Sequence, residues 1–355
     1  MSANKRKYTQ SLDLVQGKVE MAHGAGGKAM AQLIEQLFIR AFDNPALNVQ
    51  SDQAMLALPD TAGLASGKIV MATDSHVISP LFFPGGDIGS LSVHGTVNDV
   101  VMSGAKALYL SVGFILEEGF PLADLKRIVD SMAFAAREAG VAIVTGDTKV
   151  VEKGNGDGVF INTTGIGVLP EGLELSTDQV RVGDKVLVSG SLGDHGVAIM
   201  SLRENLTFET TIESDSQSLD QLVARMIDRI PDIRCMRDPT RGGLAATLNE
   251  IAGQADVGIQ LQEEAIPVKP QVRAACEFLG LDPLYVANEG KLIVICPKQR
   301  ADELLALMHD HPQGADAAII GEVFEDPNHF VQLKTSFGGM RMVDWISGEQ
   351  LPRIC

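Results

Sequence analysis

Aspartates beside small residues carry most of the chemistry this sequence offers. Asp74 follows the apolar run Ile69–Ala72 in Thr-Asp-Ser, and Asp147 follows Val141–Thr145 in Gly-Asp-Thr-Lys. Asp99 stands in Thr-Val-Asn-Asp, at the start of a run that can be helical, and Asp52 precedes Gln-Ala-Met-Leu-Ala-Leu. Asp194 lies in Gly-Asp-His-Gly, and Asp238 in Arg237-Asp-Pro-Thr-Arg241-Gly-Gly. Carboxylates at the ends of buried strands suit Mg2+, which takes a few carboxylates together with substrate phosphates. Each of them reads equally as a helix cap or a turn residue, and spacing alone does not make them converge.

Four further features add to this set. His23-Gly24-Ala-Gly26-Gly27-Lys can cradle phosphate ahead of a helix over 30–41, although it is not a Walker A loop. Arg237, Arg241 and two glycines at the start of a helical run make a phosphate clamp, or serve backbone geometry alone. Glu289, in Asn288-Glu-Gly-Lys before an apolar strand, is a general base if buried beside substrate and a surface turn residue otherwise. The chain ends Pro-Arg-Ile-Cys, and a thiol at position 355 can carry an acyl-type group as a tethered nucleophile.

These residues need a frame. The chain has 355 residues with 45% hydrophobic and 21% charged, enough for about two domains and a core without staples. A net charge of −17 argues against a nucleic-acid partner, because that affinity rests on clustered cations. No apolar run reaches the ~18 residues of a membrane span, and no apolar signal core follows the charged N-terminus. The four cysteines form no CxxC pair, so neither a zinc site nor a disulfide framework is expected. The expectation is a cytoplasmic protein with reduced thiols. Short β-branched runs at 68–73, 141–145, 185–189 and 291–296 read as strands buried on both faces. Between them, helices are expected after Pro121 with Gly140 as the stop, at 217–230, at 244–252 and at 301–309. The fold class is α/β or α+β. A loose extension over 1–18, domains over 19–172 and 180–338, and a tail over 339–355 complete the division. Cys235, Cys276 and Cys296 read as core residues.

The ordered motifs His23-Gly-Ala-Gly-Gly, Thr73-Asp-Ser, Asn98-Asp, Gly146-Asp-Thr-Lys, Gly193-Asp-His-Gly, Arg237-Asp-Pro-Thr-Arg-Gly-Gly, Asn288-Glu-Gly and terminal Pro-Arg-Ile-Cys run from about Val19 to Cys355. This set resembles the HypE family of hydrogenase maturation factors, within the aminoimidazole ribonucleotide synthetase-like superfamily. The resemblance implies a two-domain α/β fold whose N-terminal domain forms a β-sheet or barrel across a homodimer. It implies ATP and Mg2+ as cofactors. Gly24, Gly26, Gly27, Asn98, Gly146, Thr148, Arg237 and Arg241 become nucleotide-binding candidates, together with Asp52, Asp74, Asp99, Asp147 and Asp238, which also hold the metal. The implied reaction is an ATP-dependent carbamoyl dehydration on Cys355, converting an S-carboxamide to a thiocyanate, the source of the cyanide ligand of nickel–iron hydrogenase. Glu289 and Lys149 become the base and the stabiliser of the imidate oxygen, in either order. A HypF-like carbamoyltransferase and a HypC–HypD-like complex become the partners. Two alternatives remain beside this: a synthetase or kinase of the same superfamily acting on a free substrate, and a nucleotide-binding scaffold.

Overall fold

Two sheets divide the chain, and one buried helix ties the first to the second. The computed structural model describes residues 11–24, 28–49, 68–204, 206, 211–345 and 354. In the first half the elements are α1 (Lys28–Leu33), a π turn, α2 (Ile39–Phe42), β1 (Lys68–His76), β2 (Phe82–Phe83), β3 (Gly86–Asp87), α3 (Ile88–Met102), β4 (Lys106–Glu117), α4 (Leu122–Glu138), β5 (Ala142–Val151) and β6 (Val159–Leu169). The main sheet has the order β1-β6-β4-β5, antiparallel except for the β4–β5 pair. It is open among the described residues.

The helix α3 starts where Asp87 and Ser90 cap each other: Asp87 accepts from the Gly89 and Ser90 amides, and Ser90 Oγ accepts from the Asp87 amide. Its side chains are buried almost all round, as expected of a helix enclosed by protein rather than lying on a surface. Gly89 lets it cross α4 closely, since a Cβ there would lie 2.3 Å from the Ile128 carbonyl oxygen. The neighbouring α4 buries Leu125, Ile128, Val129 and Met132 at helical spacing and stops before Gly140, which takes a positive φ of 65°.

The second half comprises β7 (Lys185–Val188), α5 (Asp194–Arg203), α6 (Asp220–Arg229), β8 (Cys235–Arg237), α7 (Gly243–Ala255), β9 (Gly258–Gln262), α8 (Pro270–Leu279), β10 (Ile293–Cys296), α9 (Ala301–His309), β11 (Ala318–Phe324), β12 (Val331–Lys334) and β13 (Met340–Met342). Its sheet has the order β13-β12-β9-β11-β7-β10-β8. Pairing continues to Met342, past the residue 338 at which the sequence reading ended the domain.

Several expectations change. Buried on both faces holds for β7 and β10, whereas β1 and β5 alternate between a covered and an open face. Asp74 and Asp147 therefore lie inside long strands rather than at strand ends. Asp99 sits near the C-terminal end of α3, not at a helix start. The stretch 11–18, expected to be loose, docks on the body: Gly17 accepts from the Leu122 amide, Lys18 bridges to Pro121, and the Leu12 amide bonds Gln36 at 2.8 Å. Ile354, expected in a free tail, is 3% exposed and joins the main core. No helix among the described residues is long and apolar enough to cross a membrane.

Candidate active site

The seam between the two domains gathers carboxylates. Asp74 points from the covered face of β1 toward α3, where a Cβ on Gly95 would lie 3.5 Å from its Oδ2. That oxygen stands 3.6 Å from Nε2 of the buried His76, whose ring burial holds in its neutral form although Asp74 pulls the other way. Asp99 on α3 is pushed up to about 7, first by burial and then by the charges of Asp238 and Asp74. Asp238, just past β8, is pushed up to about 6 by burial, with Asp74 and Glu250 adding repulsion.

Glu289 is the most strongly perturbed. It is 4% exposed, its Oε1 has no hydrogen-bond partner, and burial raises its carboxyl well above the usual range. Asp215, Asp238, Asp74 and Asp99 reinforce the shift in that order. A carboxyl kept near-neutral by such surroundings can give or take a proton around neutral pH.

The backbone around Glu289 is clamped from both domains. Its amide donates to Asp215 Oδ1 at 3.1 Å, and its carbonyl accepts from the Asn98 side chain at 3.2 Å. Gly290 is required here, because a Cβ would lie 1.9 Å from the Asp215 carbonyl oxygen. Lys291 Nζ lies 3.4 Å from Asp215 Oδ2, so Asp215 is anchored by a cation while it holds Glu289. Asn288 ties the adjoining loops, accepting from the Gly193 amide and donating to the Pro239 carbonyl.

Several sequence candidates fall elsewhere. Asn98, grouped with nucleotide ligands, has its amide taken by the Gln217 and Glu289 carbonyls and the Leu219 amide, so it acts as an interdomain tie. Gly243 lies against the 284–286 backbone, and a Cβ there would meet the Val286 oxygen at 2.6 Å. Gly242 and Gly243 thus serve the start of α7. Arg237 reaches the Asp99–Asp238 region through its charge, while Arg241 is exposed at the entry of α7. Gly24 closes a 3-10 turn. Asp194 is occupied by Ser191 and Lys269. Asp52, Gly26, Gly27 and Cys355 lie outside the described residues.

Asp147 and Lys149 form a separate pair on the open face of the first sheet. Lys149 Nζ holds both Asp147 oxygens at 2.8 and 2.7 Å, and this contact, ahead of any other, lowers the Asp147 carboxyl. Asp74 is in register with Thr163, Val112 and then Gly146, with Thr163 packed against Thr96 of α3. Asp147 is one residue beyond that row and so faces the other way. Three strand spacings put the two aspartates roughly 14 Å apart across the sheet. Thr148 turns inward and is buried, and Gly146 accommodates the Val112 carbonyl, which a Cβ would approach to 2.4 Å.

Among the described residues no three His, Cys, Asp or Glu side chains stand close enough to hold a metal ion alone. The negative charge of Asp74, Asp99 and Asp238, offset only in part by Arg237, nevertheless fits a divalent cation that arrives with phosphate ligands and keeps part of its water. The AIR synthase related N-terminal domain model matches residues 50–169, and the C-terminal domain model matches residues 181–334. The carbamoyl dehydratase HypE of Azotobacter vinelandii is 69% identical over 344 residues, covering 97% of this chain and 99% of the relative. This chain belongs to the HypE family. A crystal structure of HypE in complex with ATP superposes with a TM-score of 0.90 at 51% identity, covering 95% of this chain and 99% of that one. A structure of a HypE–HypF complex gives 0.77 at 50% identity, covering 88% and 99%.

The motif reading of this HypE-family chain missed Asp215, His76 and His195. Asp215 stands in Glu-Ser-Asp-Ser, which reads as a solvated loop, and only its distant partners Glu289 and Lys291 give it a role. The raised carboxyls also set a stability trend. A carboxyl whose folded pKa exceeds its unfolded value leaves the fold less stable as pH rises from about 4 toward 7. Asp99→Asn is therefore expected to stabilise the protein at pH 8 by on the order of 1 kcal/mol, with the gain vanishing toward pH 4, as read by thermal unfolding across pH.

Proposed function

We propose that this chain dehydrates a carboxamide carried on its own Cys355 to a thiocyanate, using ATP, in the maturation of nickel–iron hydrogenase. The observation that carries the reading is Glu289, buried with its Oε1 unpartnered, in a chain whose Ile354, next to Cys355, is itself buried. The carboxamide oxygen attacks the γ-phosphorus of ATP, its P–O bond to ADP breaks, and one N–H proton leaves to give an S-bound imidoyl phosphate. The second N–H proton then leaves as the C–O bond breaks, releasing phosphate and forming the C≡N bond. The carboxamide oxygen departs in the phosphate and the two protons complete the elements of water. Glu289 is the acceptor for the first of these protons, since burial raises its proton affinity, and the departing phosphate takes the second. Asp74, Asp99 and Asp238 are the groups to hold Mg2+, which when bound offsets the charge of the phosphates. Their mutual repulsion supports that assignment.

Lys149 fits the scheme only through a second copy. In one chain it lies on the open sheet face, away from Glu289. Ile69, Met71 and Ile115 stand exposed on that same face, 62%, 69% and 45% accessible, an apolar surface suited to pairing with its own copy. We infer a homodimer in which the partner's Lys149 serves the site around Glu289. A HypF-like carbamoyltransferase loads the tail, supported by the HypE–HypF complex of a relative. A HypC–HypD-like complex receives the cyano group. A cytoplasmic setting keeps the terminal thiol reduced, consistent with the described cysteines, all free and buried.

Mass spectrometry of the C-terminal peptide, after incubation with the carbamoyltransferase, carbamoyl phosphate and Mg-ATP, is expected to show a carbamoyl group on Cys355 followed by ATP-dependent loss of one water. Turnover of a free substrate with an unmodified tail would favour the synthetase alternative, and ATP binding without turnover the scaffold. A second test addresses the shared site. Lys149→Ala and Glu289→Gln chains, each inactive alone, are expected to recover about a quarter of wild-type turnover when mixed and allowed to exchange, because half the dimers hold one intact site. No recovery would place both residues in the same chain's site.

A further inference from the structure

His195 lies at the start of α5, fully buried, and the reaction scheme above does not use it. Its Nε2 lies 2.7 Å from the Ile354 carbonyl oxygen, and its Nδ1 lies 2.8 Å from Ser214 Oγ. A carbonyl only accepts, so Nε2 carries the hydrogen. Nδ1 of the neutral ring then accepts from the Ser214 hydroxyl, which itself accepts from the Ser216 amide at 3.1 Å. Burial keeps the ring neutral, although Asp215 pulls toward the charged form and Arg203 pushes away from it. The Phe83 ring meets it edge-on at 5.6 Å, which further fixes its plane.

The segment 211–219 that carries Ser214 is a strap between the domains. The Ser214 amide bonds the Pro84 carbonyl, His94 meets Ser216 Oγ at 3.0 Å, and Asn98 grips Gln217 and Leu219. One residue from Ser214, Asp215 holds the Glu289 amide. One strap thus orients both the tail's histidine and the proton acceptor. The carbonyl bound by His195 belongs to the peptide unit joining Ile354 to Cys355, so the grip acts on the backbone next to the terminal thiol, whatever that thiol carries.

We propose that His195 is the positioning residue that seats the C-terminal tail for dehydration, by gripping the Ile354–Cys355 peptide carbonyl. This deepens the carrier reading of Cys355 and rests on it.

The test uses the full chain and two readouts. The first is the rate at which iodoacetamide alkylates Cys355, followed on the C-terminal peptide. The other thiols are buried and pushed up to about 11, 11 and 12 for Cys235, Cys276 and Cys296, so they react slowly. The second is single-turnover loss of water from the carbamoylated chain. His195→Ala is expected to speed alkylation roughly three- to tenfold, the range one hydrogen bond supplies, and to slow water loss by a similar factor. ATP affinity is expected to stay unchanged, and carbamoylation, which like alkylation needs the thiol free, is expected not to slow. His195→Gln keeps a donor and is expected to recover most of the wild-type behaviour, which a loss of packing alone would not allow. Ile354→Gly removes the packed side chain beside that carbonyl while leaving His195 in place and is expected to act in the same direction, so it decides the matter if His195→Ala fails to fold. Wild-type alkylation and dehydration rates in folded His195→Ala, or in Ile354→Gly, would overturn the latch. Failure of the wild-type chain to lose water would instead overturn the carrier reading, while the alkylation readout still judges the latch.

Discussion

Glu289 is held where four other carboxylates oppose its charge, and the rest of the architecture exists to keep it there. Its Oε1 is buried without a partner, and burial and the neighbouring carboxylates all oppose the ionised form. The restraint comes from the main chain on either side. Asp215 takes the amide, Asn98 takes the carbonyl, and Gly290 allows the strap to press against the loop. Each belongs to a different element, so the position of Glu289 depends on both domains being closed on each other. A site built this way is stable only with protons, or a cation, to offset its charge, and that is the usual cost of a functional centre.

The two faces of the first sheet do different work. The covered face turns Asp74 toward α3 and the seam. The open face carries Asp147 and Lys149 beside exposed Ile69, Met71 and Ile115. The alternation of a strand makes this division unavoidable: residues one apart in a register row cannot serve one site in one chain. The homodimer proposed above would resolve it, and would account for apolar side chains beside a charged pair.

Much of this was legible in residue types. Asp74, Asp99, Asp238 and Glu289 stood out by residue type, whereas their gathering was not legible, because Asp74 lies inside β1 and Asp99 inside α3 and only the packing of the two domains brings them together. The three internal cysteines read as core, and they are buried. The helix α9 is found where its periodicity placed it. Less legible was anything fixed by distant partners. Asn98 looked like a ligand, but its amide is spent on carbonyls 119 and 191 residues away. The facing of Asp147 depends on strand register and on a bulge between Leu110 and Ser111, which no local pattern encodes. The Ile354 carbonyl meets a histidine 159 residues earlier.

Burial and mutual repulsion bias Asp99, Asp238 and Glu289 toward their protonated forms until cation and nucleotide arrive. Calorimetry of Mg-ATP binding at pH 7.5, repeated in buffers of different ionisation enthalpy, measures this directly. Binding is expected to release protons from the wild-type chain, because added positive charge favours the ionised carboxylates. The release is expected to fall away in the Asp99→Asn, Glu289→Gln double variant. Binding with no proton exchange, or equal release from the double variant, would contradict the account.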